Sequence, residues 1–146
     1  MNLEIHDLIL GAVIALPVLF VVMALVVWKK PRRLKVDKYR VEWKELQSFC
    51  RDRTMWPKAL VDADRLLDKA LKRRKFRGKR MGERLVSAQR RLTNNDGVWA
   101  AHNLTKKVID NPATRLSEAK VKAALVAYRQ ALIDIGALPD GQSRNS

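Results

Sequence analysis

The sequence predicts an all-α protein: a single N-terminal transmembrane helix followed by a four- to five-helix bundle. Three observations carry that reading. Leu8 to Trp28 is a run of 21 residues without a charge. Beyond it, apolar residues recur at helical spacing between short polar connections. No stretch shows the strict alternation of a strand. The implied organisation is a tail and anchor at 1–30 with the span at 8–28, a basic juxtamembrane linker at 31–36, a helical cytoplasmic domain at 37–139, and a polar tail at 140–146.

The apolar run, LILGAVIALPVLFVVMALVVW, spans about 31 Å as a helix, close to the ~30 Å hydrocarbon core. Pro17 falls inside it, which transmembrane helices tolerate. A cleaved signal peptide would need a basic start, a shorter apolar region and a small-residue cleavage site. Here the start carries Glu4 and Asp7, and KKPRR follows the run, so an uncleaved anchor is expected. Trp28, Lys29, Lys30, Arg32 and Arg33 form the expected membrane interface. Lys29–Lys35 holds five basic residues in seven, against none before the span. The positive-inside rule therefore places the N-terminus outside and the domain in the cytoplasm, in a cell membrane. The same cluster is suited to anionic headgroups, at about 1 kcal/mol per basic residue, or serves topology alone.

In the domain, Tyr39, Trp43, Leu46 and Cys50 share one face of a first helix. Thr54 is the expected N-cap of a second, with Pro57 in its first turn and a stripe of Trp56, Leu60, Ala63, Leu67 and Leu71. Gly78 and Gly82 mark the next break, and Met81, Leu85, Ala88 and Leu92 form a third helix closed by Thr93–Gly97. A fourth runs from about Val98 to Ile109, capped by Asp96 and ended by Asn111-Pro112. The last starts near Ser117-Glu118, buries Val121, Leu125, Tyr128, Leu132 and Ile135, and stops at Gly136. The aromatic positions fall at helical spacing and read as core.

The net charge is +15, and all 30 basic residues follow Val27. Such a domain is expected to meet polyanions: RNA, anionic lipid or an acidic protein. The densest signal is Lys72, Arg73, Arg74, Lys75, Phe76, Arg77, Gly78, Lys79 and Arg80, with seven basic residues in nine. Its charges suit phosphates and Phe76 suits stacking on a base, the alternative being a solvated loop with Phe76 tucked into the core. Lys106 and Lys107 add a second basic pair. His6 and His102 lack a second ligand at useful spacing, so no metal, no cofactor and no small-molecule substrate are called. The single cysteine, Cys50, excludes an intrachain disulfide and reads as a packing residue. Glu42/Glu45 and Asp62/Asp64 read as solvated helix faces. Gly11 and Ala15 give the anchor one small-xxx-small pair.

Trp99–Pro112, WAAHNLTKKVIDNP, with the helix Ser117–Leu138 behind it, resembles the HEPN family in its small, bacterial, membrane-tethered members. The likeness extends over WPKALVDADRLLDKAL (Trp56–Leu71) and MGERLVSAQRRL (Met81–Leu92). It implies a helical bundle, commonly dimeric, in a family with many metal-independent RNases and toxin components. The family hallmark is Arg-Asn followed, after three residues, by His. Aligned through Asn103-Leu104, those positions carry Thr105, Lys106 and Asp110. Proton transfer needs an acid–base group, and Asp110 would repel phosphate. The resemblance therefore implies a catalytically silent member. The expected function is a non-catalytic, membrane-anchored binding or scaffold domain that associates with itself or a protein partner. The alternatives are a tethered RNA-binding protein and, behind it, an RNase-type toxin using displaced residues.

Overall fold

The computed structural model describes residues 2–29 and 33–140. It is all-helical in those residues and divides into two units, 1–31 and 32–146, each described by itself.

The first unit is α1 (Asn2–Lys29), a continuous helix through Pro17. Within it, Glu4–Val27 is long and apolar enough to cross a membrane, and its described side chains are exposed all round. A soluble helix would hide such a surface against a core. Of the expected interface residues, Lys30 and Arg32, and the side chains of Trp28 and Lys29, lie outside the described residues, while Arg33 is exposed. Residues 141–146 of the polar tail also lie outside them.

The second unit contains α2 (Val36–Ser48), α3 (Trp56–Arg73), α4 (Met81–Ala88), α5 (Asn95–Asp110) and α6 (Glu118–Asp134). Helix α3 is the centre and packs against the other four. Its stripe explains why: Ala59, Leu60, Ala63, Leu67, Ala70 and Leu71 are each 0% exposed. Each leucine buried there contributes about 1.5–3 kcal/mol. Tyr39, Trp43 and Leu46 of α2 close one side of the core, Leu85 of α4 another, and Val98, Tyr128 and Leu132 the side made by α5 and α6.

Several boundaries differ from the sequence reading, each for a local reason. Cys50 lies beyond α2, in a 3-10 turn (Phe49–Arg51), half-buried with its thiol directed to the Leu46 carbonyl. Asp52, not Thr54, caps the following turn, because its Oδ1 accepts from the Thr54 N–H at 2.9 Å. Trp56 then opens α3, anchored by its indole N–H on the Cys50 carbonyl at 3.0 Å.

Helix α3 ends at a left-handed Lys75 (φ 64°), before either glycine. The Lys75 and Phe76 N–H groups turn back to the Lys72 and Leu71 carbonyls, the Schellman pattern that commonly uses glycine. Gly82 lies inside α4, where an added Cβ would stand 3.4 Å from the Trp99 ring. Helix α4 is short and stops at Ala88; Leu92 lies past its end yet is buried. Asn94 rather than Asp96 caps α5, accepting from the Gly97 N–H at 2.9 Å. Ser117 caps α6, and Gly136 (φ 75°) ends its run as expected. Leu125 is only partly buried.

Candidate functional site

Helices α2 and α3 form an antiparallel pair, so the start of α2 lies beside the end of α3. A groove of about 600 Å³ opens there. Lys35, Lys38 and Tyr39 line one wall; Arg65, Asp68, Lys69, Lys72 and Arg73 line the other, and Lys75 closes the end. Seven cations therefore face a single carboxylate. Lys69 is engaged by Glu42 at 2.8 and 3.0 Å, and Lys72 by Asp68 at 2.7 Å. Among the described residues, Lys35, Lys38, Arg65, Arg73 and Lys75 have no ion-pair partner. Packing that many like charges together costs free energy unless an anion offsets it.

The wall of α3 is held from behind. Arg84 of α4, 4% exposed, donates from Nε to Asp68 at 2.6 Å and from its terminal nitrogen to the Gly78 carbonyl at 2.6 Å. Burial pushes the Asp68 carboxyl up, but the hydrogen bonds and charges of Arg84 and Lys72 outweigh it and hold it below the usual range. The loop after α3 has further backbone anchors: Arg77 N–H on Ser87 at 3.1 Å and Lys79 N–H on Glu83 at 2.7 Å. Gly78 sits at φ 142°, and an added Cβ would meet the Arg84 backbone nitrogen at 2.7 Å. The backbone of the basic loop is thus tied at several points.

Of the expected Lys72–Arg80 cluster, the groove gathers Lys72, Arg73 and Lys75. Arg77, Lys79 and Arg80 are exposed outside it, and Arg74 is half-buried. Phe76 is partly buried and packs against the core, following the left-handed Lys75. Lys107 lines a separate groove between α5 and α6 with Lys120, and Lys106 is exposed. The two basic clusters are therefore not one surface.

Lys38, Tyr39, Arg65, Asp68 and Lys69 are not among the site residues the sequence singles out. The signal was present, since Arg65, Lys69, Lys72 and Arg73 recur at helical spacing on α3. The apolar stripe on the neighbouring face of that helix is the stronger pattern and masked it.

A second polar cluster joins α3, α5 and α6, and it corrects the reading of Asp64 as solvated. Asp64 Oδ1 takes His102 Nδ1 at 2.7 Å and the Tyr128 hydroxyl at 2.9 Å. Thr105 Oγ1 lies 2.8 Å from that hydroxyl and 3.0 Å from the Ala101 carbonyl. Two hydroxyl protons serve these three contacts. Tyr128 gives its proton to the carboxylate, the stronger acceptor, and the one Thr105 proton is shared between the Tyr128 oxygen and the Ala101 carbonyl. Burial, then the Asp64 charge, push the Tyr128 phenol far above its ordinary range. Tyr128 and Thr105 are 0% and 1% exposed, so neither hydroxyl is offered to a substrate. Thr105 is a core residue, while Lys106 and Asp110 are exposed. Among the described residues, no three His, Cys, Asp or Glu side chains converge as a metal site would require.

No protein-family model, curated protein or solved structure matches the chain.

Proposed function

We propose that the chain is a non-catalytic, single-pass membrane protein whose helical domain binds anionic lipid headgroups through the groove between α2 and α3. The observation that carries this is the convergence of seven cations on one groove, five of them without an ion-pair partner among the described residues. Its first cation, Lys35, follows the Lys29–Arg33 cluster in the chain. Six residues separate α1 from α2. Whatever its conformation, a connection of that length reaches no further than about 25 Å. With α1 in a bilayer and the domain on its cytoplasmic side, the groove works beside the anionic leaflet. There each nearby cation contributes about 1 kcal/mol.

Two observations favour lipid over the other partners of a basic domain. Single-stranded RNA binders stack bases on exposed rings. The one ring of this groove, Tyr39, is buried, and Phe76 packs on the core. The most exposed large apolar side chains of the domain, Val41, Val86, Ile109 and Val126, lie one each on α2, α4, α5 and α6, so apart from the groove that Trp43, Leu46, Cys50, Val121, Leu125 and Val126 line, a protein partner or a second copy meets scattered apolar surface. The HEPN-like resemblance fits a silent member, since the hallmark positions hold a core threonine, a lysine and an aspartate.

Full-length chain in neutral detergent, titrated with dioctanoyl phosphatidylglycerol and dioctanoyl phosphatidylcholine at low and near-physiological salt, tests the reading. Preference for the anionic lipid that weakens with salt is the expected result. Equal affinity for both lipids, with salt-dependent binding of labelled single-stranded RNA, would move the assignment to RNA.

A further inference from the structure

The groove contains one polar group that net charge does not explain. Tyr39 is 3% exposed and lines the groove, yet its hydroxyl has no hydrogen-bond partner among the described residues. The contrast with Tyr128 is direct, because that hydroxyl meets both Asp64 and Thr105. The ring is buried but the hydroxyl is not sealed in the core: it opens on the groove, free to donate to an oxygen of a bound group. Burial raises the Tyr39 phenol above its usual range, offset in part by the Arg73 guanidinium, so it remains a proton donor at any physiological pH. Glu42, the carboxylate that also acts on it, is already held by Lys69.

We propose that the groove is a phosphomonoester site, in which the Tyr39 hydroxyl and the Arg73 guanidinium receive the terminal phosphate of a membrane lipid. This rests on the anionic-headgroup reading and narrows it. A phosphomonoester offers three terminal oxygens and a charge of about −1.5 to −2 at neutral pH. The phosphodiester of a glycerol or serine headgroup offers two free oxygens and a charge of −1. Cations on both walls, Lys35 and Lys38 on one and Arg65 and Arg73 on the other, together with a neutral donor between them, match the group with more oxygens and more charge. Lysines alone register charge, whereas a hydroxyl held by a buried ring and a guanidinium also register geometry.

The test uses the full-length chain in neutral detergent, titrated calorimetrically with dioctanoyl phosphatidic acid, dioctanoyl phosphatidylglycerol and inorganic phosphate. Wild type is expected to prefer phosphatidic acid. Tyr39→Phe, which changes no charge, is expected to lose about tenfold in affinity for phosphatidic acid and nothing for phosphatidylglycerol. If Tyr39→Phe binds both lipids as wild type does, the monoester site is overturned and the headgroup reading stands. If wild type binds neither anionic lipid, the headgroup reading fails, and this one with it. Inorganic phosphate binding as tightly as phosphatidic acid would overturn the lipid source. Should the variant fail to fold, wild type alone decides. At pH about 5, below the second phosphate pKa near 6, both headgroups carry about one charge. Retained preference for the monoester then supports the site, and equal affinity overturns it.

Discussion

Arg84 meets Asp68 across sixteen positions of sequence, Nε to Oδ1 at 2.6 Å, with the guanidinium side chain only 5% exposed. This pair joins α4 to the groove wall, and through the Gly78 carbonyl it also fixes the basic loop. Removing Arg84 takes from Asp68 its buried partner and leaves it only the exposed Lys72. Arg84→Met is therefore expected to destabilise the domain by about 3–5 kcal/mol, measured by denaturant melts of the full chain in neutral detergent. Asp68→Ala in the same background should cost much less than it does alone, since the buried partner of the carboxylate is already gone.

The same pair sets an acid limit. The Asp68 carboxyl lies below its ordinary value in the folded protein. Its contribution is therefore fully present above the unfolded pKa of about 3.9 and is lost as pH falls through the lower, folded value. Melts between pH 5 and pH 2 should show wild type losing stability more steeply than Asp68→Asn. Parallel profiles would mean that Asp68 is not held in this way.

Tyr128 holds the second cluster. Tyr128→Phe removes a donor from Asp64 and a partner from Thr105 while leaving the ring in place. A loss of about 1.5–3 kcal/mol is expected, as for a hydrogen bond to a charged group. Tyr39→Phe, by contrast, removes a hydroxyl with no partner among the described residues, and a change within about 0.5 kcal/mol is expected. The two tyrosines thus give opposite results in one assay.

Lys75 ends α3 at φ 64°, a conformation that costs a side-chain residue about 1–2 kcal/mol. Lys75→Gly should relieve it and raise stability by about 0.5–1 kcal/mol, the gain being reduced by the freer unfolded chain. A melting temperature below that of wild type would contradict this.

Much of the fold was legible in the sequence because it rests on the helical period. Tyr39, Trp43, Leu46, Leu60, Leu67, Leu85 and Leu132 were all read as core and are buried. Helix ends were less legible, since Asp52 and Asn94 compete with Thr54 and Asp96 as caps and only backbone geometry selects among them. The polar interior was misread for a different reason. Asp64 carries a charge that usually means a wet face, and its partners His102 and Tyr128 lie 38 and 64 positions away; Asp68 and Arg84, sixteen apart, drew no reading at all. Spacing did hold a clue, because Asp64 and Asp68 sit four apart beside the α3 stripe, and Arg84 shares the face of Met81 and Ala88. The groove combines two helices, so neither basic segment predicts it alone.

The most direct test of the account compares two variants of equal charge loss in binding dioctanoyl phosphatidylglycerol by full-length chain. One replaces the groove cations Lys35, Lys38, Arg65 and Arg73 by serine; the other replaces Arg77, Lys79, Arg80 and Lys107, which lie outside the groove. The account predicts a loss of at least about tenfold for the groove variant and no more than about twofold for the other. Equal losses in the two would mean that net charge alone attracts the lipid, and would contradict a binding groove between α2 and α3.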